Sequence, residues 1–289
     1  MRLVLRIRTE STKSWREVLG SPPASLWRAE TADGGFVLAW PEDEHAVTGL
    51  RLTRDGGAPA IALPLFCGPG DLSLAVQLTP MVARALGGDI EIEGHPVAAA
   101  DFQRSFEEDI ARRFIHRSMD RFQSLLSAKD KEVWAIEGYR RPYFVGVETA
   151  SRAMGLAGGD FSEGYLRLLT IAASIQRIDE GTTSPVVRTI RTPDGAVGRY
   201  AVWDPLRETL LPPCDYALVV GSVAGSYVRV AAADLAHVLT VSPGVMRGAR
   251  VDEAQWLLGQ LDEASAEAVR AKAREVGKTL KIPPGVLDG

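Results

Sequence analysis

Three kinds of grouping in this chain could carry chemistry: glycine-rich turns able to hold an anion, thiol and acidic side chains able to act on a substrate, and arginines able to grip phosphate. Gly277-Lys278-Thr279 has the ending of a phosphate-binding P-loop. Such a loop wraps backbone N–H groups round a phosphate between a strand and a helix, and it needs a glycine five positions before Gly277, where Lys272 stands. The triplet therefore reads as a helix stop. Gly221-Ser222-Val223-Ala224-Gly225-Ser226 could also turn N–H groups towards an anion. Because β-like Tyr227-Val228-Arg229-Val230 follows it, no helix N-terminus would face the phosphate, and a hairpin loop is the better reading.

Nucleophiles and metal ligands are sparse. His45, His95, His116 and His237 fall one to an element, without a His-Glu-x-x-His run or a cysteine pair, so neither a metal site nor a cofactor is expected. Glu42-Asp43-Glu44-His45 could ligate a hard cation, yet it lacks the glycine and alternating oxygen donors of a calcium loop and reads as a solvated acidic loop. No Gly-x-Ser-x-Gly elbow marks a serine hydrolase. Cys67, beside Gly68-Pro69-Gly70, could be a nucleophile with a histidine brought near by the fold, although a packed structural thiol is the plainer account.

The densest basic feature is Arg112, Arg113, His116, Arg117 and Arg121 on one helical pattern, with Arg140 and Arg141 able to join it. These residues are the candidate partner surface. A phosphate-contacting stripe is one reading. The other is a solvated face neutralised by Glu107, Glu108 and Asp109, with Glu108–Arg112 and Asp109–Arg113 at the favourable i,i+4 spacing. The net charge of −4 favours the second, and makes nucleic acid an unlikely partner.

The elements that must position these residues follow from patterning in a chain of 289 residues. An apolar fraction of 46% supplies a core, and Cys67 and Cys214 as the only cysteines fit a reducing compartment. No signal peptide and no membrane-length apolar run is expected, which points to the cytoplasm. Arginine-rich, lysine-poor composition suggests a GC-rich bacterial genome. Leu3, Leu5 and Ile7 alternate with arginines as a first strand, and Asp33-Gly34 and Asp55-Gly56 mark hairpins of an antiparallel meander.

Asp71 to Leu86 is predicted helical, capped by Asp71 and stopped by Gly87-Gly88, with Pro80 either kinking it or following a Thr79 cap. The strongest helical pattern runs from Ala99 to Leu126 through Phe102, Phe106, Ile110, Phe114 and Phe122. The polar stretch 127–132 is the expected boundary between domains at 1–128 and 132–289. Beyond it, strands at 133–136 and 143–147, a helix at 163–175, a hairpin at Pro193-Asp194-Gly195, a strand at 216–220 and helices at 232–239 and 253–276 are expected. The fold class is α+β, two domains each with an antiparallel sheet packed by helices.

Four patterns together resemble an uncharacterised family of bacterial proteins, a domain of unknown function. They are the Asp71–Leu86 helix running into Gly87-Gly88 and Ile90, Arg141-Pro142-Tyr143 after a strand, Tyr200 to Trp203 leading to Thr209-Leu210-Leu211-Pro212, and Asp252-Glu253-Ala254-Gln255-Trp256-Leu257. The resemblance implies no activity or site.

Missing catalytic motifs, acidic balance and six tryptophans point to a non-enzymatic protein-binding module, such as an immunity or accessory protein of a toxin system, whose partner is another protein. The alternatives are an enzyme whose site is assembled from Cys67, His116 or the acids of 42–44, and nucleic-acid binding through the arginine face.

Overall fold

The computed structural model describes residues 2–21, 23–43, 45–127, 133–191, 195, 197–240, 248–253 and 255–281. The chain is α+β, and its compact units divide between Arg177 and Ile178. This division falls well beyond the boundary expected at 128–132, residues that lie outside the described ones.

The first unit is built on a seven-stranded antiparallel sheet of order β2-β3-β4-β5-β1-β6-β7. Its strands are β1 (Arg2–Arg8), β2 (Trp27–Glu30), β3 (Phe36–Ala39), β4 (Leu50–Asp55), β5 (Ala58–Pro64), β6 (Asp89–Ile92) and β7 (His95–Val97). The Asp-Gly signals act as expected. Asp55 pairs with Ala58 across Gly56 and Gly57, whose φ values of 59° and 88° are the left-handed pair that a tight hairpin requires.

One sheet face, carrying Leu3, Leu5, Ile7, Leu38, Leu52 and Ile61, is buried under the helices α1 (Trp15–Leu19), α2 (Pro69–Leu86), α3 (Phe102–Ser105) and α4 (Ala111–Leu126). Between α3 and α4, Phe106–Ile110 is a π-helical turn inside what the pattern predicts as one helix. Pro80 lies within α2, and the Thr79 hydroxyl is buried without a partner instead of capping a shorter helix. Asp71 is the third residue of α2 and not its cap, a place taken by Gly68.

Asp71 does more than cap. Its fully buried carboxylate accepts hydrogen bonds from the N–H groups of Val47, Thr48, Gly49 and Gly68 at 2.8–3.1 Å, fastening the 47–49 loop to the start of α2. The link from β5 into α2 passes through Phe66, buried at φ 61°, a conformation that costs a bulky residue on the order of 1–3 kcal/mol and is held by packing.

The hairpin β8 (Trp134–Glu137) and β9 (Pro142–Val145) follows, then α5 (Val147–Leu156) and α6 (Phe161–Gln176). Phe122 of α4 meets Phe161 and Tyr165 of α6 at 5.4 and 6.0 Å between ring centres. Those aromatic contacts explain why this stretch belongs with the first unit.

The second unit has a five-stranded sheet of order β10-β11-β13-β14-β17, from β10 (Arg188–Arg191), β11 (Val197–Trp203), β13 (Tyr216–Val220), β14 (Ser226–Ala231) and β17 (Lys278–Lys281). It is antiparallel except that β11 and β13 run parallel, because β12 (Thr209–Leu211) leaves between them to join β15 (Gly248–Arg250) and β16 (Trp256–Leu258). Helices α7 (Leu235–Leu239) and α8 (Glu263–Val276) pack Leu235, Val238, Val269 and Ala273 on Ala201, Trp203, Ala217 and Val219. The helix expected from Glu253 starts only at Glu263, where the Asp262 side chain accepts from the Ser265 N–H. Residues 256–258 are a strand instead. The expected Pro193-Asp194 turn lies outside the described residues.

Candidate functional site

Both phosphate-loop look-alikes are structural. Gly277 closes α8 and Lys278-Thr279 enter β17, while Gly221 N–H donates to the Ser226 carbonyl to close the β13–β14 hairpin. Cys67 is buried, and its thiol is pushed well up by burial and by the nearby Asp71 charge, the opposite of what a nucleophile needs. Tyr143 and Tyr165 surround the same spot, their hydroxyls also raised by burial. Among the described residues no three histidine, cysteine or acidic side chains are placed to hold a metal. Glu44 lies outside the described residues and His116 is exposed on α4; the loop of Asp43 and His45 packs against Gly68 and Gly70 just after Cys67, yet among the described residues no hydrogen bond joins His45 to the buried thiol.

The arginine stripe is partly neutralised, by one of the expected acids, Asp109, and by Glu93 from outside the helix. Glu93, at the β6–β7 turn with φ 50°, accepts from Arg113 at 3.1 Å and from Arg117 at 3.4 Å. Asp109 pairs with Arg113 at 3.0 Å as predicted, whereas among the described residues Arg112 has no ion pair. A cavity of about 300 Å³ there is lined by His95, Ser105, Glu108 and Asp109 among others, yet no hydrogen bond joins His95 to the other three among the described residues.

Arg140 and Arg141 do not join the stripe. They sit in the turn of the β8–β9 hairpin, where the Gln176 carbonyl oxygen accepts both of their N–H groups at 2.9 and 3.0 Å and its amide donates to the Arg141 carbonyl at 2.8 Å. The Arg140 guanidinium lies 5.6 Å from the Tyr139 ring centre and 6.0 Å from that of Trp27. Arg121 meets the other end of the hairpin, 5.8 Å from the Trp134 ring centre. The strand between these ends, Trp134–Glu137, spans roughly 10 Å at about 3.3 Å per residue.

Beside Arg121 opens a groove of about 520 Å³, lined by Pro64, Leu65, Phe66, Arg121 and the whole of β8. Successive strand side chains point to opposite faces, so a groove that touches Trp134, Ala135, Ile136 and Glu137 in turn runs along the edge of the strand. Pro64 pairs with Arg2, which lines an adjoining 230 Å³ hollow with Arg6, Glu91, Glu93 and Arg117. In that hollow Arg6 and Arg117 are paired with Glu91 and Glu93. Among the described residues, neither Arg2 nor Arg121 has a carboxylate partner.

Sequence reasoning found Arg121 but missed the groove. Trp134 is half-buried at its wall, and none of the six tryptophans is fully exposed, so exposed tryptophan was the wrong signal to seek. No protein-family model, curated protein or solved structure matches the chain, and the likeness to a domain of unknown function gains no support from these comparisons.

Proposed function

We propose that the chain is a non-enzymatic protein-binding module that holds its partner in the Trp134 groove. The observation that carries this reading is the composition of that groove: half-buried apolar walls, an aromatic anchor and a guanidinium that has no carboxylate partner among the described residues, the mixture typical of protein interfaces. Neither thiol and none of the four histidines lines that groove. Nucleic acid is less favoured, since Arg113 and Arg117 are already engaged by Glu93. An immunity or accessory protein acting in the cytoplasm is the most concrete form of such a binder, and no helix among the described residues is long and apolar enough to cross a membrane.

A photo-crosslinking amino acid placed at Ala135, and at Arg84 on α2 as control, tests the reading in the native host. The expected result is one protein adduct from position 135 that disappears with Trp134→Ala. Equal adducts from both positions, or turnover of a metabolite by the purified chain, would refute it.

A further inference from the structure

We propose that the groove takes its partner as an added β-strand: an extended peptide pairs with the outer edge of β8 and places an acidic side chain against Arg121. This inference rests on the protein-binding reading above. The phase of the β8–β9 ladder fixes which backbone groups are on offer. Gly138 N–H donates to the Arg141 carbonyl, which makes 138/141 a hydrogen-bonded pair at the hairpin end. Antiparallel pairs alternate between bonded and non-bonded, so Ile136/Tyr143 and Trp134/Val145 are bonded pairs. Ala135/Phe144 and Glu137/Pro142 are the non-bonded ones. The N–H and C=O groups of Ala135 and Glu137 therefore point away from β9, and no strand of the described residues pairs with them. Pro142 fits the same phase, because its missing N–H falls where the ladder has no bond to lose.

Other sheet edges also carry unpaired groups. The β8 edge differs in facing a walled space, with Pro64, Leu65 and Phe66 opposite and Trp134 and Ile136 offering apolar contacts. Strand addition draws affinity from main-chain hydrogen bonds and specificity from the pockets for alternate side chains. Charge supplies the rest of the specificity. Among the described residues Arg121 stands at the Trp134 end without a carboxylate, while Glu137 at the other end is paired with Arg51 at 2.8 Å. An acidic residue at one end of the incoming strand is thus complementary, and a basic one at the other end has no free carboxylate to meet.

The test uses a displayed library of random decapeptides selected on the full chain, followed by binding of the enriched peptides in solution. Enriched peptides are expected to share one acidic position, and Arg121→Glu to exchange that preference for a basic one. Methylating alternate backbone nitrogens of an enriched peptide should weaken binding about tenfold or more in one phase and little in the other, since each lost main-chain hydrogen bond is worth about 1–1.5 kcal/mol. Ala135→Pro, which removes an outward N–H and leaves the β9 ladder intact, should weaken binding to a similar degree. Enriched peptides indifferent to both N-methyl phases would overturn strand addition. So would a concentration-dependent dimer of the chain that Ala135→Pro dissolves, because a second copy would then own the edge. A protein adduct at position 135 combined with indifference to N-methylation would leave the protein-binding reading standing and remove strand addition alone.

Discussion

The guanidinium of Arg121 lies 5.8 Å from the centre of the Trp134 ring, joining the C-terminal half of α4 to the first residue of β8. At a solvent-facing site such a pair is worth about 0.5–1 kcal/mol. A double-mutant cycle of Arg121→Ala and Trp134→Ala in urea should return a coupling of that size. Trp134→Ala alone should cost more, about 2 kcal/mol, because the half-buried ring also packs 6.5 Å from Phe66. Zero coupling would mean that the arginine is free to leave the ring, and that the groove has no fixed end.

The turn of the hairpin is fastened by a side chain from α6 as well as by the Tyr139 N–H to Val47 carbonyl bond. Gln176 on α6 binds both arginine N–H groups and the Arg141 carbonyl, and a Cβ at Gly138 would fall 2.1 Å from its amide nitrogen and 2.3 Å from the Arg141 oxygen. Gly138→Ala is expected to destabilise the chain by about 1–3 kcal/mol through this overpacking. Gln176→Ala should relieve part of that cost in the double variant, but not the clash with the carbonyl. Thermal melts of the three variants check the order, and full additivity would contradict it.

How far the sequence disclosed this arrangement depended on how local each determinant was. The phenylalanine spacing from Phe102 to Phe122 marked the long helix, and Asp55-Gly56 its hairpin, because each signal lies within one element. Trp256-Leu257-Leu258 suits a helix or a strand equally, and it becomes a strand by pairing with Leu211, distant in sequence, and with Arg250 across a short connection. Helix α5 went unpredicted since Val147–Leu156 is rich in small residues and buries Thr149, Ala150 and Ala153 without a strong apolar stripe. The groove was invisible for the same reason as β16: Pro64–Phe66 and Trp134–Glu137 meet only after the meander and α4 have folded.

Asp71 should be among the costliest single positions. Removing its carboxylate leaves four buried N–H groups, those of Val47, Thr48, Gly49 and Gly68, without their acceptor. Each such loss is worth about 1–3 kcal/mol, so Asp71→Ala is expected to cost on the order of 4 kcal/mol or more in urea unfolding. Asp71→Asn keeps one oxygen for three of those donors and should cost distinctly less. Equal effects would show that the packing of the side chain, and not its acceptors, fastens the loop.

The two thiols should be slow to react. Burial holds the Cys67 thiol well above its ordinary value and pushes Cys214 up to about 11, so neither offers much thiolate near neutrality. With a chromogenic disulfide at about pH 8, native protein is expected to release little colour, and unfolded protein the equivalent of both cysteines. Rapid reaction of Cys67 in the native state would revive it as a nucleophile.

Asp215 and Asp71 impose opposite slopes on stability against pH. The Arg199 backbone N–H and guanidinium donate to Asp215 at 2.8 and 3.1 Å and hold its carboxyl below the ordinary 3.8. The folded state then binds this proton more weakly than the unfolded one. Its stabilisation is therefore complete above 3.8 and is lost as the pH falls through the lower folded value. Burial raises Asp71 above 3.8 despite the N–H groups it accepts, so the unfolded chain gives up that proton first as the pH rises. Its contribution is complete below 3.8 and is lost as the pH climbs through the folded value. Urea midpoints between about pH 2.5 and 7 should separate the two. Asp215→Asn is expected to flatten only the acid limb, and Asp71→Asn to remove a decline on the side above 3.8. If Asp71→Asn instead flattened the acid limb, the hydrogen bonds to its carboxylate would outweigh burial, and the 47–49 loop would be clamped by a carboxylate that stays charged well into acid.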